Sequence, residues 1–119
     1  MGDEFFSQNG GDNGMCLSLV GHCHIDTAWL WPYAETIRKC ARSWSSTIAL
    51  MDAYPEMTFA CSQAQQIHWV QVHYPSIFVR LQEFVKQGRM SLVGGCWVEM
   101  DGNIPSGESF VRQVLDSLM

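Results

Sequence analysis

The densest run of chemistry-bearing side chains in this sequence of 119 residues is Gly21-His22-Cys23-His24-Ile25-Asp26. Residues two apart in an extended segment project from the same side. His22, His24 and Asp26 would therefore present two imidazoles and a carboxylate together. Borderline metals such as zinc take imidazole nitrogen and carboxylate oxygen readily. The ordinary alternative is a pair of surface histidines followed by an aspartate that caps the next helix. Three such groups in five residues, directly after an apolar run, favour a site. A second concentration is Gly94-Gly95-Cys96-Trp97-Val98-Glu99-Met100-Asp101-Gly102-Asn103. Asp101 before Gly102 reads equally as a turn residue, but Trp97 and Glu99 share its loop. Aromatic faces beside carboxylates suit a sugar, whose apolar face stacks on a ring while its hydroxyls bond to carboxylates and amides. Trp29, Trp31 and Trp97 are candidates for that stacking. Trp44 and Trp69 fall on helix faces and are expected in the core. Cys23 and Cys96 lie near the same place but are weaker candidates for ligands. His68 and His73 are expected on a solvated helix face, and Glu108 as a first-turn partner of a helix dipole.

These groups can meet only if the chain folds them together. Cys16-Leu17-Ser18-Leu19-Val20 reads as a buried strand ending at Gly21. Apolar steps of three and four through Ile37, Cys40, Trp44, Ile48 and Met51 predict an amphipathic helix from about Ala34 to Tyr54, stopped by Pro55. Met57 to Cys61 reads as a second strand, and Gln63 to His73 as a helix. Pro75 opens another helix, which Gly88 ends at C′. Met90 to Val93 is a third strand. Ser106 caps a last helix, with Phe110, Val111, Val114, Leu115 and Leu118 inward. The alternation predicts α/β architecture with parallel strands and right-handed crossovers. Parallel strands share one carboxyl edge, where residues following each strand collect. There the first strand would bring His22, His24, Asp26 and Trp29. The second would bring Ser62, Gln63, Gln65 and Gln66, and the third Trp97, Glu99, Asp101 and Asn103. Three strands do not close a barrel, so the chain reads as the opening part of a larger fold.

Composition narrows the function classes. Seven basic residues against twelve acidic ones give a net charge of −5, which argues against nucleic acid and anionic membrane as partners. Hydrophobic residues at 47% and charged residues at 16% are globular proportions. No run is long and apolar enough to span a bilayer. Residues 1–15, rich in Gly, Asn and Asp, read as a flexible leader without signal-peptide character. Five cysteines, an odd number without a CxxC spacing, fit a reducing compartment, and hence the cytoplasm, better than a disulfide framework.

Gly21-His22-Cys23-His24-Ile25-Asp26-Thr27-Ala28-Trp29-Leu30-Trp31-Pro32 resembles the opening motif of glycoside hydrolase family 38, the zinc-dependent α-mannosidases. Trp97-Val98-Glu99-Met100-Asp101-Gly102-Asn103-Ile104-Pro105-Ser106-Gly107-Glu108 resembles the nucleophile loop of that family. With Cys61-Ser62-Gln63-Ala64-Gln65-Gln66 between them, the two motifs are most similar to the cytosolic (neutral) branch. The resemblance implies that His24, Asp26 and Asp101 are zinc ligands, that Asp101 is also the catalytic nucleophile, and that Trp29 contacts substrate. Cobalt suits the same ligand set. The implied reaction is retaining hydrolysis of terminal α-D-mannose from oligosaccharides. The implied fold is a partial β/α barrel, the opening strands and helices of a seven-stranded catalytic domain, over residues 16–119. A fourth ligand, a His, and the acid/base carboxylate would lie further along such a chain, and Glu99 does not match that acid. The 119 residues alone are then expected to be inactive.

Other classes compete. Metallo-β-lactamase-like hydrolases carry His-x-His-x-Asp-His, which His22, His24 and Asp26 fit in part, with Thr27 in place of the last His. Amidohydrolase-like enzymes place a His-x-His after their first strand but leave the Asp101 loop unexplained. A truncated domain acting through binding, or unstable alone, is the non-enzymatic reading.

Overall fold

The structure, a computed structural model, describes residues 17–118. The proposed leader and Cys16 lie outside the described residues. Three parallel strands, β1 (Gly21–His22), β2 (Phe59–Cys61) and β3 (Met90–Leu92), form one sheet in the order β1-β2-β3. Four helices join or follow them: α1 (Tyr33–Ala53), α2 (Ala64–His73), α3 (Pro75–Lys86) and α4 (Gly107–Ser117). The α/β class and the parallel order expected from the alternation both hold.

Each element follows from its local chemistry. In α1, Thr36, Cys40, Trp44, Thr47 and Met51 are buried, a stripe at steps of three and four that faces the sheet. The ring of Trp44 meets Phe59 of β2 edge-on, with centroids 5.7 Å apart. Pro75 opens α3, and Gly88 follows its C-cap with φ 70°, the left-handed C′ geometry that glycine adopts without penalty. The core is filled by Ile25, Cys40, Trp44, Met51, Phe59, Cys61, Val70, Leu81, Phe84 and Met90. Arg89 closes its far end. Its guanidinium donates to the carbonyls of Met51, Tyr54 and Met57 and so ties the end of α1 to the start of β3.

Two expectations need correction. The first strand begins later and is shorter than the apolar run suggested. Leu17, Leu19 and Val20 are exposed, and ladder pairing starts at Gly21, opposite Phe59. Glycine is required there, because a Cβ on Gly21 would come within 2.6 Å of the Phe59 ring. The backbone of β1 approaches β2 only where no side chain intervenes, and the bulkier run before it stays off the sheet. The second correction concerns α4. Ser106 caps it as expected, accepting from the Ser109 N–H, but Phe110, Val111, Val114, Leu115 and Leu118 are exposed. The helix is amphipathic in sequence, yet no described element covers its apolar side. A largely apolar groove of about 950 Å³ runs beside it, between α3, β3 and Leu118.

Thiol chemistry tests this packing. Burial pushes the Cys40 thiol up to about 12 and the Cys61 thiol up to about 11, from an ordinary value of 9.0. A raised thiol pKa means that the folded state holds its proton more tightly. Its stabilising contribution is therefore present below about pH 9 and is lost as pH rises toward 11–12. At pH 9, iodoacetamide should label the half-buried Cys23 and Cys96 and spare Cys40 and Cys61 until denaturant is added. Peptide mapping reads the pattern. Early labelling of Cys40 would contradict the core described here.

Candidate functional site

At the carboxyl edge of the sheet, β1 runs into an extended segment that alternates as its spacing predicts. Cys23 and Ile25 turn toward the core, while His22 and His24 are exposed on the other side. The loop after β3 reaches the same edge and is held from two directions. The carbonyls of Cys96 and Trp97 accept the Ala64 and Gln65 N–H groups at 3.3 and 2.9 Å, capping α2, which has no side-chain cap. From the opposite side, Trp97 N–H donates to the Gln113 carbonyl at 2.9 Å and Val98 N–H to Gln113 Oε1 at 2.8 Å. Through Gln113 the exposed helix α4 steadies this loop.

Glu99 lies at the centre of the resulting polar cluster. Its Oε2 contacts His24 Nδ1, and its Oε1 accepts the Ser62 hydroxyl. Ser62 Oγ also lies 2.7 Å from His22 Nε2. The Glu99 bond, then that from Asp26, holds the His24 imidazolium above its ordinary range. Burial pushes the Glu99 carboxyl up, but bonds from Ser62 and His24 outweigh it and hold the group below the usual carboxylate range. Beneath the cluster, Gln63 is almost wholly buried at 2% exposure. Its amide donates to the Ile25 carbonyl at 2.9 Å and accepts from Thr27 Oγ1 at 2.9 Å. Thr36 extends the network, donating to the Thr27 carbonyl at 3.0 Å and accepting Trp31 Nε1–H at 2.9 Å.

Together these loops enclose a cleft of about 600 Å³. His24, Asp26, Trp97, Glu99 and Asp101 all line it, so residues up to 77 positions apart share one wall. Asp101 Oδ1 accepts the Asn103 N–H at 2.6 Å and the Ile104 N–H at 3.3 Å. This is the turn role the sequence also allowed, and it leaves the second carboxylate oxygen without a bonded partner among the described residues. Trp29 lies outside the cleft lining, 61% exposed and tilted against Trp31. Gln66 turns into the core instead of the cleft. Cys23 packs against the core, and the Cys96 thiol donates to the Gly94 carbonyl, so neither thiol lines the cleft.

A metal fits part of this donor set. His24 Nε2 and Asp26 Oδ1 stand 3.2 Å apart. Two ligand atoms each roughly 2.1 Å from one tetrahedral ion are separated by about 3.4 Å. The pair is thus spaced as one edge of such a site, and its N and O donors suit zinc. Among the described residues, no group of three or more His, Cys, Asp or Glu side chains is drawn together closely enough to hold an ion. Asp101 lines the same cleft, with one carboxylate oxygen not engaged in its turn.

Sequence reasoning missed two cleft residues. Trp69, expected in the core, is half-buried and lines the cleft, with the Tyr33 ring 6.3 Å away. The signal was present: Trp69 is four residues after Gln65 on α2, and residues at that spacing share a helix face. Tyr33 had no comparable signal. It lines the cleft as the first residue of α1, directly after the Pro32 N-cap.

The family described as glycosyl hydrolases family 38 N-terminal domain matches residues 14–118. The chain is 56% identical over 115 residues to "Alpha-mannosidase 2C1" of Homo sapiens, covering 97% of this chain and 11% of that protein. It is 51% identical over 112 residues to "Alpha-mannosidase G" of Dictyostelium discoideum, covering 94% and 10%. With "Alpha-mannosidase" of Saccharomyces cerevisiae it shares 56% over 95 residues, covering 79% and 9%. The chain therefore belongs to glycoside hydrolase family 38, and it spans about a tenth of the length of these relatives.

The buried amide offers a direct test of the architecture. Gln63→Leu should leave the Ile25 carbonyl without its donor and the Thr27 hydroxyl without its acceptor. A cost of about 1–3 kcal/mol is expected, read from urea unfolding, whereas Gln65→Ala at the cleft wall should cost little. Equal stability of Gln63→Leu and the unmodified chain would show that the network does not hold the two loops.

Proposed function

We propose that this chain is the nucleophile- and metal-bearing opening segment of a zinc-dependent retaining α-mannosidase, which hydrolyses terminal α-D-mannose from oligosaccharides. The observation that carries the reading is the shared cleft, in which His24, Asp26 and Asp101 stand with the rings of Trp69 and Trp97. Family membership supplies the reaction class.

In this reading His24, Asp26 and Asp101 hold the ion, zinc or in its place cobalt. When bound, the metal supplies a grip on two adjacent sugar hydroxyls and favours a distorted, oxocarbenium-like ring. Trp97 and Trp69, which both line the cleft, offer aromatic faces on which the apolar side of mannose stacks. Trp29 contacts substrate from further out. Asp101 attacks the anomeric carbon as the bond to the leaving oxygen breaks, giving a covalent mannosyl-enzyme, and water then releases mannose with retained configuration. The leaving oxygen needs a proton from a second carboxyl, roughly 5–5.5 Å from the nucleophile in retaining enzymes. Glu99 is not assigned that part, because both its oxygens are engaged by His24 and Ser62. As the family resemblance implies, the acid/base and a further His ligand lie beyond residue 119.

Residues 16–119 would then open a seven-stranded β/α barrel domain, with 1–15 as a leader. Mannose-containing oligosaccharides are the partners, and neither nucleic acid nor membrane is. Among the described residues no helix is long and apolar enough to cross a membrane. We place the protein in the cytoplasm, on its odd cysteine count and the buried thiols of Cys40 and Cys61.

Two measurements test the division of labour. The 119-residue chain should not turn over an aryl α-mannoside, while in the presence of zinc methyl α-mannoside should change its tryptophan fluorescence. Asp101→Asn should weaken that response about tenfold or more, as expected for loss of a charged contact. Robust turnover abolished by Asp101→Asn would contradict the placement of the acid elsewhere. No response to mannoside at any zinc level would contradict the sugar site.

A further inference from the structure

We infer that Glu99 is a positioning residue for His24: by accepting the Nδ1 proton it would orient the imidazole so that Nε2, which here faces Asp26 Oδ1, is the ring nitrogen left to ligate a metal. The inference rests on the zinc reading proposed above and names the residue that tunes it. An imidazole that ligates through Nε2 must carry its proton on Nδ1, and a carboxylate on that proton orients the ring and raises its basicity. Glu99 Oε2 contacts Nδ1 of His24, while Nε2 faces Asp26 Oδ1 at 3.2 Å. The two ring nitrogens therefore already serve different carboxylates, one from the loop after β3 and one from the segment after β1.

The Glu99 carboxylate is itself held. Its Oε1 accepts the Ser62 hydroxyl, and Gln63 Nε2 approaches Oε2 at 3.5 Å. The backbone on its N-terminal side is pinned by Gln65 N–H on the Trp97 carbonyl and by Val98 N–H on Gln113 Oε1. An unsupported carboxylate on a surface loop would be a weak ion-pair partner, worth little in water. One gripped by Ser62, on a loop fastened to α2 and α4, arrives with its geometry set. Neither the nucleophile nor the ligand reading uses Glu99, and this contact gives its place between Trp97 and Asp101 a role.

The test is zinc affinity of the 119-residue chain, measured by competition with a chromophoric chelator, beside the visible spectrum of the cobalt-loaded chain. Glu99→Ala should weaken zinc binding by about 10- to 100-fold and shift the cobalt bands, while its metal-free melt stays cooperative. Glu99→Gln keeps a neutral acceptor at the same reach and should fall between the two. Ser62→Ala, which frees the carboxylate, should lose affinity less than Glu99→Ala. If Glu99→Ala does not melt cooperatively, Glu99→Gln and Ser62→Ala carry the test. Wild-type affinity in all folded variants would overturn the inference and leave the zinc reading intact. No zinc binding by the unmodified chain would overturn both.

Discussion

Everything at the functional edge depends on the parallel register of three very short strands. Gly21 pairs with Phe59 and Phe59 with Met90, and His22, Ala60 and Ser91 form the next rank. Because the strands run the same way, the residues after His22, Cys61 and Leu92 must emerge on one side. The ladder itself is brief, so hydrogen bonds along it cannot hold the register alone. Packing does that. Phe59 reaches Trp44 on α1 and leaves no room for a side chain at position 21, while Arg89 locks the start of β3 to the end of α1.

The carboxyl edge gathers polar residues, and a second layer of bonds turns that gathering into a site. Gln63 is almost wholly buried, and its amide is satisfied by backbone and hydroxyl partners. A buried polar side chain is tolerated only on such terms. Satisfying Gln63 therefore fixes the distance between the segment after β1 and the start of α2. The loop after β3 supplies the caps that α2 lacks. Two structural needs, a buried amide and an uncapped helix, place the candidate ligands and the candidate nucleophile along one cleft.

Much of this was legible in the sequence because its signals were local. The three-and-four spacing in α1, Pro75 and Gly88 bounding α3, and Ser106 before α4 all act within one or two turns. The strand-end clustering of His24, Asp26, Trp97 and Asp101 followed from one topological rule. Properties that depend on partners far along the chain were less legible. The run Leu17–Val20 is apolar enough for a buried strand, but burial requires a neighbour, and β2 starts pairing only at Gly21. The apolar residues of α4 carry the right period, yet period says nothing about what covers them. The strand-end rule brings Glu99 to the same edge, but its bonds to His24 and Ser62 span 75 and 37 residues and carry no local signal. Trp69 looked like core because helix position alone cannot separate a core ring from a cleft wall.

The claim on which the functional reading stands is that the sheet edge holds a metal through His24 and Asp26. Metal content of the purified chain after zinc loading and desalting addresses it most directly, measured beside His24→Ala and Asp26→Ala. One zinc per chain, lost in both variants, is the predicted result. Zinc retained equally by both variants, or none retained by the unmodified chain, would contradict it.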